Sequence, residues 1–273
     1  MLDSERGVCE REGEEGMRYL SLFSGIEACS VAWEPLGWKP VAFAEWDDFP
    51  KAVLKYHWPD VPDLDDVTKI TAEDLEKLGP FELLVGGSPC QDLSVAGKRA
   101  GLRNEDGSLT RSGLFDHQMR IFELAREING CRFCLWENVP GALSSNEGQD
   151  FAYVLGTMVQ GDVPVPKDGW GNSGVCVSES GDRLVEWRIL DAQYMGVPQR
   201  RRRIFALVDT GAWWSRPPVL FEPKGMPWNP VTGRTPPQGA TGRAYEGADP
   251  DSRGIFGDII RTTVPKGDEF DDE

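Results

Sequence analysis

Cys90 stands between Pro89 and Gln91, where the apolar run Phe81-Glu82-Leu83-Leu84-Val85 gives way to Gly86-Gly87-Ser88 and then to a long polar loop. A thiol at the end of a strand offers nucleophilic chemistry through its thiolate. An ordinary cysteine is only a few per cent ionised at neutral pH, so it needs local help. The plainer alternative is a buried, inert thiol, the commoner state of a free cysteine. Pro89 on one side and the polar Gln91 on the other argue against burial. Three more polar groups follow or precede strand-like runs: Glu45 with Trp46, Glu137 with Asn138 and Val139, and Gln199 with Arg200 to Arg203. Carboxylates in such positions can accept hydroxyl hydrogen bonds or move protons. The arginines can hold a carbonyl or phosphate oxygen, or form a solvated surface.

These residues need elements to position them, and the pattern supplies an alternating α/β chain. Tyr19 to Phe23 reads as a strand ending at Ser24-Gly25-Ile26-Glu27, followed by a helical pattern that stops at Gly37. Val41 to Ala44 is a second strand, ending at Glu45, and Pro50 to Tyr56 makes another helix. Strand, glycine turn, helix, strand and acid is the order of a nucleotide-binding βαβ unit, with Gly25 allowing close backbone approach and Glu45 placed for ribose hydroxyls. Glu27 stands where a dinucleotide fingerprint needs glycine, and its charge would repel a pyrophosphate. A cofactor with ribose and adenine but no phosphate fits better, and S-adenosylmethionine is one. Trp46 can stack on adenine or simply pack in the core.

Asp63 to Val67 reads as a short turn or edge strand, and Thr71 caps a helix that ends near Gly79. The loop from Ser94 to Gly113 is long enough to imply function. Residues 114–129 form an amphipathic helix, Cys131 to Trp136 a strand, and 149–160 another helix. The Cys131-x-x-Cys134 spacing lacks a matching second pair, so a strand with small apolar cysteines is preferred to zinc. Residues 161–182 read as a surface insertion, Leu184 to Leu190 and Ile204 to Val208 as strands, and the chain after 210 as loop-rich.

The 273 residues are 40% hydrophobic and 27% charged, with no apolar run long enough for a membrane span and no secretory signal pattern. Six cysteines without a regular framework imply a reducing, cytoplasmic setting. The net charge is −16, of which residues 1–16 and 268–273 hold −9. Both ends read as solvated tails, so global charge says little about the site beside Arg200 to Arg203. Met17 opens the first foldable segment and is a candidate natural start.

Taken in order, Leu22-Phe23-Ser24-Gly25-Ile26, Glu45-Trp46-Asp47, Asp66-Val67-Thr68, Gly87-Ser88-Pro89-Cys90-Gln91, Glu137-Asn138-Val139 and Gln199 to Arg203 resemble the C5-cytosine DNA methyltransferases. The likeness covers roughly residues 17–210 and is nearest to phage and prophage-type members. Cys90 and Glu137, 47 residues apart, make a specific pair.

The resemblance implies a Rossmann-like class I S-adenosylmethionine-dependent methyltransferase fold with a mostly parallel sheet. It also implies an acidic extension over 1–16, a catalytic domain over 17–210, and a loop-rich remnant of the target-recognition region over 211–273. Cys90 would attack C6 of a flipped cytosine, Glu137 would act at N3, and Arg203 with Arg201 would hold the base carbonyl. Phe23, Ser24, Gly25, Ile26, Glu45, Trp46, Asp66 and Pro89 would face the cofactor. Gln91, Ser94, Asn138, Val139 and Gln199 would face double-stranded DNA.

Two positions depart from the family pattern: Ser21 stands where most members have an acid, and Glu27 where most have glycine. The family's C-terminal motifs are not recognisable after Phe221. Three readings follow: an active or partly active catalytic domain, alone or as half of a split enzyme completed by a second polypeptide; a truncated, non-catalytic DNA-binding relic; or an enzyme acting on RNA cytosine.

Overall fold

The computed structural model describes residues 16–89 and 113–221. Cys90, Gln91 and Ser94 therefore lie outside the described residues, as do both charged tails. The order is β1 (Arg18–Leu22), α1 (Ala28–Trp33), β2 (Lys39–Ala44), α2 (Asp48–His57), α3 (Ala72–Leu78), β3 (Leu83–Gly86) and α4 (Gly113–Asn129). Then come β4 (Phe133–Asn138), α5 (Gln149–Val159), β5 (Ser173–Val177), β6 (Leu184–Asp191) and β7 (Arg202–Asp209).

Local chemistry accounts for the boundaries. Gly37, at φ 78°, ends the 3₁₀ turn that follows α1, and Thr71 with Asp74 forms a reciprocal capping box at the start of α3. The α4 side chains Phe115, Met119, Ile121, Phe122 and Ala125 are buried. Leu114, Leu124 and Ile128, expected from their spacing to share the core face with Ile121 and Ala125, are only partly buried, so the helix is rotated about its axis relative to that expectation.

The strands form one seven-stranded sheet in the order β2-β1-β3-β4-β7-β6-β5. The first four run parallel, while β7, β6 and β5 each run antiparallel to their neighbour. The expected α/β architecture is thus present, with its parallel character concentrated in β1 to β4. One face carries the main core, where Leu20, Leu84, Cys134, Trp136 and Ile204 meet residues of α4 and α5. On the other face, Tyr19, Leu83 and Val85 pack with Cys29, Trp33 and Trp38.

Strand direction decides what meets at the carboxyl edge. Because β1 to β4 are parallel, the segments after each of them emerge on the same side, the usual ligand-binding edge of such sheets. β7 is antiparallel to β4, with Ile204 opposite Asn138, so the start of β7 arrives at that same edge.

Two expectations about elements are corrected. The insertion over 161–182 contains β5, which pairs along β6. Its glycine and serines hide the strand pattern, and Gly174 is needed because Trp187 lies across it: a Cβ there would be 2.2 Å from the indole. Arg202 and Arg203 also lie inside β7 rather than ahead of it. Beyond β7, Trp213 is buried against Val175 and Leu184, and Arg216 pairs with the fully buried Asp209 and Glu186. The stretch 211–221 is therefore packed onto the sheet.

Candidate active site

Glu137 lies on the face of β4 opposite the buried Trp136 and Asn138. Its cross-strand partner is Phe205, and the diagonal neighbour Arg203 shares its face. Arg203 Nε is 2.9 Å from Glu137 Oε1, with both side chains about a quarter to a third exposed (25% and 32%). The pair is accessible to a ligand and its energetic worth to folding is small.

Gly87 sits directly beside this carboxylate. A Cβ there would lie 3.1 Å from Glu137 Oε2, so glycine lets the chain leading toward Cys90 run against the acid. Ser88 fastens that segment to β4. Trp136 Nε1 donates to Ser88 Oγ at 3.0 Å, and Asn138 Nδ2 donates to the Ser88 carbonyl at 3.2 Å. Asn138 Oδ1 in turn accepts from the Val139 amide at 2.8 Å. Asn138 and Val139 thus position the strand end here, with Asn138 itself buried. Pro89, exposed, is the last described residue before Cys90.

The other predicted residues occupy the adjoining edge. Phe23 and Gly25 both have left-handed backbone (φ 53° and 56°), which folds the loop after β1 back toward β2. Gly25 donates its amide to Glu45 Oε2 at 2.7 Å, while Glu45 Oε1 accepts from the Trp46 and Asp47 amides, each at 2.9 Å. Three of the roughly four acceptor positions of a carboxylate are thereby filled, leaving one for an incoming hydroxyl. Ser24 Oγ accepts from the Ala44 amide at 3.3 Å and donates to the Ser21 carbonyl at 3.0 Å, and Ile26 is 60% exposed.

Trp46 is 68% exposed, which rules out core packing for its ring; Lys69 Nζ lies 5.5 Å from its centre. Asp66 accepts from the Thr68 amide and hydroxyl at 2.9 and 2.8 Å. Burial pushes the Asp66 carboxyl up, but Thr68 and Lys69 outweigh it and hold it below the usual range.

Arg201 and Gln199 are exposed on the turn before β7, and Arg201 is held there through its backbone: its amide donates to Asp191 at 3.1 Å. The structure brings Arg203, and not Arg201, to Glu137.

The sequence reading placed Glu27 facing a ligand; the structure turns it inward. Glu27 is 1% exposed, accepts from Ser21 Oγ at 2.7 Å, and caps α1 through the Ser30 amide at 3.0 Å. Burial pushes its carboxyl up, against the pull of those hydrogen bonds. The two departures from the family pattern, Ser21 and Glu27, are thus hydrogen-bonded to each other, which ties the Glu27 carboxylate to β1. Their opposite senses were the available signal.

The cysteines on the described residues are poor nucleophiles. Burial, then the charges of Glu27 and Glu137, pushes the Cys29 thiol up to about 12. Cys134 is fully buried, and burial pushes it up to about 12 as well. Among the described residues no group of three or more His, Cys, Asp or Glu side chains is arranged to hold a metal, and no helix is long and apolar enough to cross a membrane.

Residues 17–209 match the family model described as C-5 cytosine-specific DNA methylase. A relative from Escherichia phage P1, named DNA N-6-adenine-methyltransferase, is 39% identical over 76% of this chain and 30% of its own length. The type II methyltransferase M2.BsuMI of Bacillus subtilis is 33% identical over 70% of this chain and 41% of its own length. The chain thus spans less than half the length of either relative. A solved structure described as a putative DNA modification methyltransferase encoded within a prophage of E. coli is 21% identical, with a TM-score of 0.50 over 71% of this chain and 47% of that one, a likeness of fold. With the family model covering most of the chain and the sheet edge built as described, this chain belongs to the C-5 cytosine-specific DNA methylase family.

Proposed function

We propose that this chain transfers a methyl group from S-adenosylmethionine to C5 of cytosine in double-stranded DNA, through a covalent bond between Cys90 and C6 of a flipped base. The observation that carries the reading is the Glu137–Arg203 pair at 2.9 Å, set behind Gly87 on the segment that leads to Cys90. The cofactor fits the adjoining edge because Glu45 retains an open acceptor position beside an exposed indole, and no pyrophosphate has to be accommodated. When bound it supplies an electrophilic methyl on a sulfonium.

Cytosine C5 is too weakly nucleophilic to take that methyl directly. Attack of the Cys90 thiolate on C6 breaks the C5–C6 double bond and places its electron pair at C5. Glu137 donates a proton or hydrogen bond at N3, which draws electrons away from C6, and Arg203 supports the negative charge developing on the base carbonyl. After methylation, loss of the C5 proton to a base restores the double bond and expels the thiolate. Phe23 to Ile26, Trp46, Asp66 and Pro89 line the cofactor's side. Gln91, Ser94, Asn138, Val139, Gln199 and Arg201 are assigned to DNA in this reading, the base being reached only when flipped from the stack.

The name of the phage P1 relative raises N6-adenine methylation as a second reading. That reaction uses the lone pair of an exocyclic amine and requires no thiolate, so it leaves Cys90 without a role. The two are separated by incubating the protein with labelled S-adenosylmethionine and duplex DNA or transfer RNA, then hydrolysing and identifying the methylated base. The expected product is 5-methylcytosine in DNA, absent with Cys90→Ser. N6-methyladenine, label in RNA alone, or transfer that survives Cys90→Ser each overturns the proposal. A folded protein without transfer, tested also with a second polypeptide carrying the rest of the relatives' length, supports a non-catalytic DNA-binding role instead.

A further inference from the structure

A second concave site lies at the same edge of the sheet, on the opposite face from Glu137. It is a cavity of about 430 Å³ whose lining includes Pro140, Glu147, Trp170, Asn172, Ile189 and Arg202. That volume is within the range that accepts a small organic group. Its walls continue directly from the reactive pair: Pro140 follows Glu137-Asn138-Val139, and Arg202 adjoins Arg203 on β7. Alternation along the strand sends those two arginines to opposite faces, Arg203 to Glu137 and Arg202 into this cavity.

One wall is strained. Asn146 (φ 49°, ψ 48°), Glu147 (φ 58°, ψ 26°) and Gly148 (φ 88°) are three consecutive residues with left-handed backbone. Such geometry is unfavourable for a non-glycine residue and persists only where surrounding structure enforces it. Here the enforcement is visible: Trp170 Nε1 donates to the Gly148 carbonyl at 2.8 Å, and Trp170 itself is packed edge-on against Phe151 and Trp187. The result presents the exposed Glu147 at the cavity. The guanidinium of Arg202 makes no ion pair among the described residues. The site therefore combines a cation, a carboxylate and the amide of Asn172 in a partly apolar cleft.

We propose that this cavity is a subsite for the nucleotide beside the target cytosine, with Arg202 on its phosphate and Glu147 reading its base. The inference rests on the DNA-methylating reading above. A guanidinium suits a phosphate oxygen, and a carboxylate accepts from an exocyclic amine, as of cytosine, while repelling the O4 carbonyl of thymine. Glu147 is then a specificity residue that reads the neighbouring position, and the backbone strain is what holds it there.

The test uses a duplex pool in which the positions flanking a central cytosine are randomised, with protein-retained DNA sequenced beside the input and affinity followed by fluorescence anisotropy at several salt concentrations. The full chain is expected to retain duplexes depleted in thymine at one flanking position. Glu147→Gln should flatten that preference at least fivefold. Glu147→Gly should flatten it equally while raising the melting temperature, because glycine relieves the left-handed strain. Arg202→Ala should weaken binding to all duplexes and reduce the slope of log affinity against log salt by about one. An unchanged flanking preference in both Glu147 variants, a full chain without any preference, or an unchanged salt slope in Arg202→Ala overturns the subsite while leaving the methyl-transfer reading intact. Failure of the full chain to bind any duplex overturns both.

Discussion

The charge pair Glu137–Arg203 has its consequence in rate rather than stability. Both side chains are partly exposed, so their removal should disturb folding little. Glu137→Gln keeps the shape but loses the titratable proton, and should slow single-turnover methyl transfer by about 100-fold or more, with the melting temperature nearly unchanged. The cysteines give a second test. Alkylation of the native protein at pH 8 should spare Cys29 and Cys134, each pushed up to about 12, and Cys176, pushed up to about 11 by burial. Peptide mapping should find label on Cys90 instead, and equal labelling of Cys29 would remove the distinction.

Glu27 supplies a pH test at the same scale. Burial raises its pKa in the folded chain above the ordinary 4.5. Its contribution to stability is therefore fully present below pH 4.5 and declines as pH rises through the raised folded value. Glu27→Gln removes that decline, so the urea midpoint of the variant relative to the parent should rise between pH 4 and pH 8. A constant difference across that range would mean that Glu27 does not titrate in the folded state.

At the scale of elements, the sheet depends on fits that sequence periodicity does not report. β5 is held by Trp187 lying over Gly174, so Gly174→Ala forces the indole or the strand to move. The expected loss is about 1–3 kcal/mol in urea unfolding, with methyl transfer retained at temperatures where the variant is folded. β4 and β7 carry the site because their register sets Glu137 beside Phe205 and diagonal to Arg203. A slip of one residue would turn Arg203 to the opposite face and bring Arg202 to the acid. The many interlocked core residues between these strands, Trp136, Ile204 and Ala206 among them, hold the register against that slip.

At the scale of the whole molecule, Arg216 closes the described fold. Its guanidinium meets Glu186 at 2.7 Å and Asp209 at 2.5 Å, and both carboxylates have no exposed surface. Arg132 holds Asp209 from the other side at 2.7 Å. Burial pushes the Asp209 carboxyl up, but the hydrogen bonds from Arg132 and Arg216 outweigh it and leave it below the usual range. Stability from this group is therefore present above the ordinary carboxylate pKa and lost as pH falls through the lowered folded value. Arg216→Ala strands buried charge and should cost roughly 3–5 kcal/mol at pH 7. The loss should shrink in acid, as protonation neutralises the abandoned carboxylates; equal loss at pH 7 and pH 4 would place the role of Arg216 in packing alone.

What the residues determined by themselves was the sequence of chemistries. The glycine turn after β1, Glu45 after β2, the segment before Cys90 after β3, and Glu137 at the end of β4 are all local: each follows an apolar run whose length and boundaries neighbouring residues specify. The cap at Thr71 and the existence of α4 as a helix were legible for the same reason, while which of its faces is buried was not. Only the tertiary structure decided which of these groups meet. The antiparallel return of β7 selects Arg203 over Arg201 as the partner of Glu137, and sends Arg202 to the other face. It also turns Glu27 inward to Ser21 rather than outward to a ligand. Such choices rest on strand direction, register and burial among residues far apart in the chain, and no local pattern of residue types encodes them.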